Sequence, residues 1–308
     1  MFRKKAVFAA KVEATPGTAE SLTSAEGAFL AAELNIQRTS SVIEREATGS
    51  FGKRASSVSG AKGSYSFSID LWWDGTSTIP IWASVLLAGC GYTNSSGTLT
   101  PRSEAAGSNV KTLTLGKYID GVYKKLYGCA GNAKFNMKAA DQITIDFTFE
   151  GVWAAPTDTA MISHTPPSQM PWKAAAATTT LDSVAMCWAN CTIDLGNEIY
   201  VEECANSATG FSKAVIVDRK PMITIDPESV LVATQDRYGM FDAEEENAFS
   251  LELAKSGATI EFSVPKAQIV KIEEGERNKI VIDNIDLQCN KNGSTADQDM
   301  SIIFTEAV

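Results

Sequence analysis

Ser64-Tyr-Ser-Phe-Ser-Ile-Asp-Leu71 alternates without a break, with Tyr65, Phe67, Ile69 and Leu71 on one side and small or polar residues on the other. Side chains on a strand point to opposite faces in turn, so this period of two predicts a strand with one buried face. Similar runs predict strands at 110–115, 143–149, 215–217, 222–225, 259–264, 280–287 and 301–304. The chain is therefore read as mainly β.

Two of these strands say nearly the same thing. Ile143-Thr-Ile-Asp-Phe-Thr-Phe149 returns in kind as Ile280-Val-Ile-Asp-Asn-Ile-Asp-Leu287, and the segment Ile36 to Glu46 has a counterpart in Ile193 to Glu203. A chain of 308 residues has room for two cores. The expectation is two tandem domains, 1–160 and 161–308, each mainly β with one short helix and a long loop. The segment 151–177, with Pro156, Pro166, Pro167, Pro171 and a run of Ala, breaks both periodicities and reads as the linker.

Helical signal is sparse and also paired. Residues 79–89 carry Pro80 in the first turn, Gly89 at the end and Trp82, Val85 and Leu86 at helical spacing. Residues 242–253 open on Asp242 and place Glu244, Glu245 and Glu246 where a helix dipole favours acids, which predicts a second helix.

Residues 39–64 and 196–221, rich in Gly, Ser and charge, read as long loops at matching places in the two halves. Irregular stretches of that length are uncommon in compact domains unless they have a function. They read as arms that reach a neighbouring molecule, with Glu44, Arg45, Glu46, Lys53, Arg54, Glu202, Glu203 and Lys213 as the candidate contacts.

Charge is shared unevenly. Residues 1–160 hold 16 Lys and Arg against 14 Asp and Glu, a net of +2, whereas residues 161–308 hold 11 against 23, a net of −12. Such an acidic half is a poor grip for a phosphate backbone and suits repelling DNA. The N-terminal apolar run is too short for a signal peptide, and no stretch of 18 apolar residues occurs, so a soluble cytoplasmic origin and no membrane partner are expected.

Catalytic chemistry finds little footing. The single histidine, His164, lies in the proline-rich segment, and no HExxH, GxSxG or P-loop spacing is present. Cys90, Cys129, Cys187, Cys191, Cys204 and Cys289 are irregularly spaced and complete no zinc motif, which favours buried free thiols. Asp70 and Asp74 beside Trp72 and Trp73 could form a sugar site; the plainer reading is a strand-to-helix corner. Asp297 and Asp299 are too few for a calcium loop. No cofactor, metal or catalytic residue is assigned, and the chain is read as a non-enzyme.

Together several short motifs carry a resemblance. In the first half these are Val12-Glu-Ala-Thr-Pro-Gly-Thr18, Leu22-Thr23, Ile43-Glu-Arg45, Ser50-Phe-Gly52, Leu86-Leu-Ala-Gly-Cys-Gly91 and Ile143-Thr-Ile-Asp146. The second half adds Ile193-Asp-Leu-Gly-Asn197, Ala208-Thr-Gly210, Asp218-Arg-Lys-Pro221 and Ile225-Asp-Pro-Glu-Ser229. In order and spacing they resemble the two-domain tail tube proteins of long-tailed, siphovirus-type bacteriophages. The resemblance implies two tandem tail-tube-like domains, each a β-sandwich or rolled sheet with one short helix, in a virion protein whose sheets join between subunits around a lumen through which DNA passes. It implies self-association in stacked rings, with the arm residues named above as the contacts between rings, and contacts with tape measure, tail terminator and distal tail proteins. Two copies per chain imply a homotrimer with pseudo-sixfold symmetry and assembly in the host cytoplasm. Other classes open to the sequence are a secreted carbohydrate-binding or hydrolytic β-sandwich and a capsid-decorating protein or adhesin.

Overall fold

The structure, a computed structural model, describes residues 6–307 apart from 28, 30, 47, 48, 50, 103–110, 166 and 294–296. Strand accounts for 60% of the chain and helix for 6%. The first half contributes β1 (Ala6–Val12), β2 (Ala31–Arg45), β3 (Arg54–Asp70), β4 (Tyr92–Ser95), β5 (Thr98–Pro101), β6 (Leu113–Ile119), β7 (Val122–Lys138) and β8 (Thr144–Asp158). The second contributes β9 (Ala177–Leu181), β10 (Val184–Ala185), β11 (Trp188–Asp194), β12 (Asn197–Glu203) and β13 (Phe211–Arg219). It continues with β14 (Met222–Pro227), β15 (Glu246–Lys255), β16 (Ala258–Arg277), β17 (Ile280–Cys289) and β18 (Ser301–Thr305).

The alternating run at 64–71 forms the inner end of β3, and Tyr65, Phe67 and Ile69 are buried. Phe67 stacks on Phe147 of β8 at 5.5 Å between centroids and meets Phe8 of β1 at 4.3 Å. Offset and tilted aromatic pairs of this kind add about 0.5–1.5 kcal/mol each beyond the area they bury.

The two halves repeat one ladder of antiparallel strands. In the first, the order is β1, β6, β7, β8, β3, β2; in the second it is β9, β15, β16, β17, β14, β11. β11 also pairs with β7, from Asn190↔Lys138 to Asp194↔Lys134, so the ladders join in one continuous sheet. A single hydrophobic core runs through both, from Phe8 and Tyr65 to Phe249 and Phe304.

The segment read as a linker starts as the outer end of β8, which runs to Asp158. Its other end is fastened: Trp172 is buried, its backbone N donates to Leu71 O at 2.8 Å and its indole to Trp73 O at 3.0 Å. His164 is exposed, and Pro166 lies outside the described residues.

Three expectations change. Residues 242–253 are not a helix: α2 spans Arg237–Asp242, and Asp236, not Asp242, caps it by accepting from Gly239 N. The reason is visible in Phe249, Leu251 and Leu253, whose period of two belongs to β15, so the glutamates before them mark a turn. The expected loops 39–64 and 196–221 are largely hairpins, β2–β3 and β12–β13. The strand expected from Val110 begins at Leu113, and Val110 itself lies outside the described residues. The helix expected at 79–89 is present as a π-helical turn, Trp82–Leu86, running into α1 (Leu87–Gly89).

Candidate assembly surface

The first hairpin leaves the sheet midway along β3. Its last partner on β8 is Val152, opposite Lys62, and further out β2 is its only strand partner among the described residues. Val42 and Ile43 are sequence neighbours and so point to opposite faces, yet they are 62% and 54% exposed. Neither face of the outer hairpin has an interior, and a two-stranded hairpin without one is marginal in water.

Five of the eight residues expected at ring contacts gather at this tip. Lys53 Nζ lies 2.7 Å from Glu46 and 3.6 Å from Glu44, but these side chains are mostly solvated, so the pairs add little. Arg45 and Arg54 stand opposite each other in the ladder. Like charges facing across two strands are unfavourable.

The second hairpin is a separate two-stranded sheet laid against the first half. Val201 and Ala214 bury themselves on Ala130 of β7. Phe211 covers Gly60, where an added Cβ would sit 3.1 Å from its ring, and Lys62 Nζ lies 5.8 Å from the ring centre. Ala61 N donates to Thr209 O at 3.2 Å. The other three expected residues lie here: Glu202 accepts from Ser212 Oγ at 2.9 Å, Glu203 lines a groove of about 660 Å³ between the hairpins, and Lys213 covers Gly128 and Gly17. Thus five candidates reach into solvent and three sit on the partner half.

Sequence reading missed the groups that seat this hairpin. The Asn197 amide donates to Cys90 O and Gly131 O, each at 2.9 Å, and its backbone N donates to Asn132 Oδ1 at 3.1 Å. Beneath it Glu13, 1% exposed, accepts from Gly17 N, Gly128 N, Thr112 Oγ1 and Thr114 Oγ1 at 2.8, 2.7, 2.5 and 2.8 Å. Four donors meet a carboxylate that no cation pairs with among its hydrogen bonds, an arrangement no short motif announces. At the far side Arg219 forks onto Asp299, with both nitrogens 2.9 Å from the carboxylate. Burial works against the Arg219 charge, but the Asp299 bonds overcome that and raise its pKa.

Among the described residues, two of the edges without a strand matter for joining copies, because they match the strands of the internal seam. β2 pairs only with β3, so its other edge is free. β16 carries β15 on one edge as far as Gln268, and from Val270 to Arg277 no strand follows on that edge. The corresponding edge of β7 is occupied first by β6 and then by β11.

Among the described residues no cluster of three or more His, Cys, Asp or Glu could hold a metal, and no helix is long and apolar enough to cross a membrane. Trp73 is 3% exposed with its indole bonded to Thr78 O, so it gives no platform for a sugar, and Asp74 Oδ1 accepts from Thr76. Cys90, Cys129, Cys191 and Cys289 are buried thiols, Cys204 is half-buried and Cys187 exposed.

A family model described as phage tail tube protein matches residues 4–301. No curated protein matches the chain.

Proposed function

The chain belongs to the phage tail tube protein family, and from that premise we propose that three copies close into a ring with pseudo-sixfold symmetry. As a family member it is a structural component of the virion tail that assembles with itself and with other tail proteins. On this reading residues 1–160 and 161–308 are two tail-tube-like domains, supported by the repeated ladder order. The observation that carries the ring is the seam inside the chain: β11 of the second ladder takes the edge of β7 in the first. The corresponding pair, β2 and the outer edge of β16, both lack a strand partner among the described residues. Pairing them between copies repeats the internal seam and covers both of these edges.

The rings stack into a hollow, non-contractile tube that conducts DNA without binding it, with the tape measure inside and terminator and distal proteins at its ends. Assembly takes place in the host cytoplasm, and no catalysis is involved. Each chain carries −10, so a ring of three carries −30. Acids within about 8–10 Å of the DNA path keep it from adhering at physiological salt. Native mass spectrometry of isolated rings and symmetry in images of the tube test the reading. Three chains and six domain-sized lobes per ring are expected; six chains per ring would overturn it.

A further inference from the structure

The seam inside the chain fixes a register that can be carried over to the seam between copies. In the first ladder one row runs Ile36, Tyr65, Phe149, Gly131 across β2, β3, β8 and β7. The matching row of the second runs Ile193, Ile223, Leu287, Ile269 across β11, β14, β17 and β16. Inside the chain Ile193 faces Phe135, four ladder steps along β7 from Gly131. Four steps along β16 from Ile269, with Val270 left over as a bulge, stands Glu274. The same register between copies sets Ile36 opposite Glu274 and, two residues on, Arg38 opposite Ile272.

The two seams then differ in kind. At the internal seam Ile193 and Leu195 meet Phe135 and Ala133, and all four are buried. Arg38 takes the place of Leu195, and Glu274 takes the place of Phe135. One side of the outer seam has gained a cation where the other has gained an acid. Neither is engaged within its own chain. Arg38 faces Gly63 across its ladder, and Glu274 faces Asp283, whose carboxylate is held by Arg237 and Ser229. Both Arg38 and Glu274 are exposed and make no ion pair among the described residues, whereas the neighbouring Glu273 lies 3.1 Å from Lys271. Across the seam Arg38 and Glu274 are diagonal neighbours, a separation of about 7–8 Å that long side chains span.

We propose that β2 of one copy pairs with β16 of the next in the register of the internal seam, and that Arg38 and Glu274 form an ion pair there which makes ring closure selective and salt-sensitive. This rests on the ring reading above. The internal seam forms once, as the chain folds, and its contacts are apolar. The outer seam is open to solvent in every free subunit. An apolar edge there would invite any strand, whereas a charged one stays soluble and favours the edge with the complementary charge. A slip by one residue turns Arg38 to the opposite face, so the pair also specifies register. An ion pair that solvent reaches is weakened by salt.

The test exchanges the charges. R38E, E274R and the combined R38E/E274R proteins are compared with wild type by native mass spectrometry and sedimentation. Rings should fall at least about tenfold in each single variant, because like charges then meet across the seam, and should return in the exchange. Raising salt should lower the wild-type ring yield and leave unchanged that of R38L/E274F, which copies the internal seam. Gln37→Cys and Glu273→Cys, opposite each other in this register, should join copies by a disulfide beyond the background set by exposed Cys187. Gln37→Cys with Lys271→Cys, two residues out of register, should not. Wild-type ring yield from both single variants, an exchange that restores nothing, a wild-type yield indifferent to salt, or a disulfide that prefers Lys271→Cys would overturn the pairing and leave the ring reading standing. Wild-type protein that forms no rings at all would instead overturn the ring reading. If a charge variant misfolds, the disulfide pair decides.

Discussion

Asn197, the first residue of β12, donates its side-chain amide to the carbonyl of Gly131 in the middle of β7, at 2.9 Å. That bond and its twin to Cys90 O hold the second hairpin on the first half. Asn197→Ala leaves two half-buried carbonyls without a donor and should destabilise the protein by about 1–3 kcal/mol. Asn197→Asp should be worse at pH 8 than at pH 5, since it sets a charged oxygen against two carbonyls. Urea unfolding at both pH values checks the order.

Glu13→Gln keeps the shape of the side chain but replaces one acceptor oxygen with a donor, facing two hydrogens that then have no partner. A loss of about 1–3 kcal/mol is expected by denaturant unfolding. A variant as stable as wild type would show that the four donors find other acceptors.

Gly196 turns the chain from β11 into the second hairpin at φ +64°, where an added Cβ would lie 1.9 Å from Lys220 O. Gly196→Ala has to move backbone against backbone and should lower stability by at least about 1–3 kcal/mol. Because the shift displaces the hairpin, ring formation should fall further than stability alone explains, as sedimentation of folded protein would measure.

Burial pushes the Cys289 thiol up to about 12, and burial raises those of Cys90, Cys129 and Cys191 as well. At pH 8 a thiol reagent should therefore modify Cys187 first and leave these four until the protein unfolds. Peptide mapping after a timed pulse reads the order directly.

Glu246 at the start of β15 is held below the usual carboxylate range by the Lys266 hydrogen bond and then by Asn290. A carboxylate lowered on folding stabilises above its unfolded pKa, and that contribution fades as pH falls through the folded value. Glu246→Gln should thus narrow the difference from wild type on acidification, with unfolding midpoints at pH 7 and pH 3 as the check.

Why the strands were legible and the arms were not follows from what each one touches. At 64–71 one face meets the core, so burial writes a period of two into the sequence. At 41–45 and 54–59 both faces are exposed, no burial imposes alternation, and a regular hairpin looks like a Gly- and Ser-rich loop. The acids at 244–246 misled for another reason: Asp before a run of Glu marks a helix start, but only a three-residue turn separates α2 from β15. The charged tip residues were found because they are dense in sequence. Asn197 and Glu13 were not, since each acts through a neighbour more than about 60 positions away.

A hairpin with no inner face also has kinetic meaning. Fixing a backbone residue takes on the order of 1–2 kcal/mol, and a lone subunit has nothing with which to offset that along the outer part of β2–β3. The deficit persists until a surface is already waiting. Growth at an existing end should therefore be fast and spontaneous initiation slow, so that the subunit stays in reserve at high concentration until a seed decides where a tube begins.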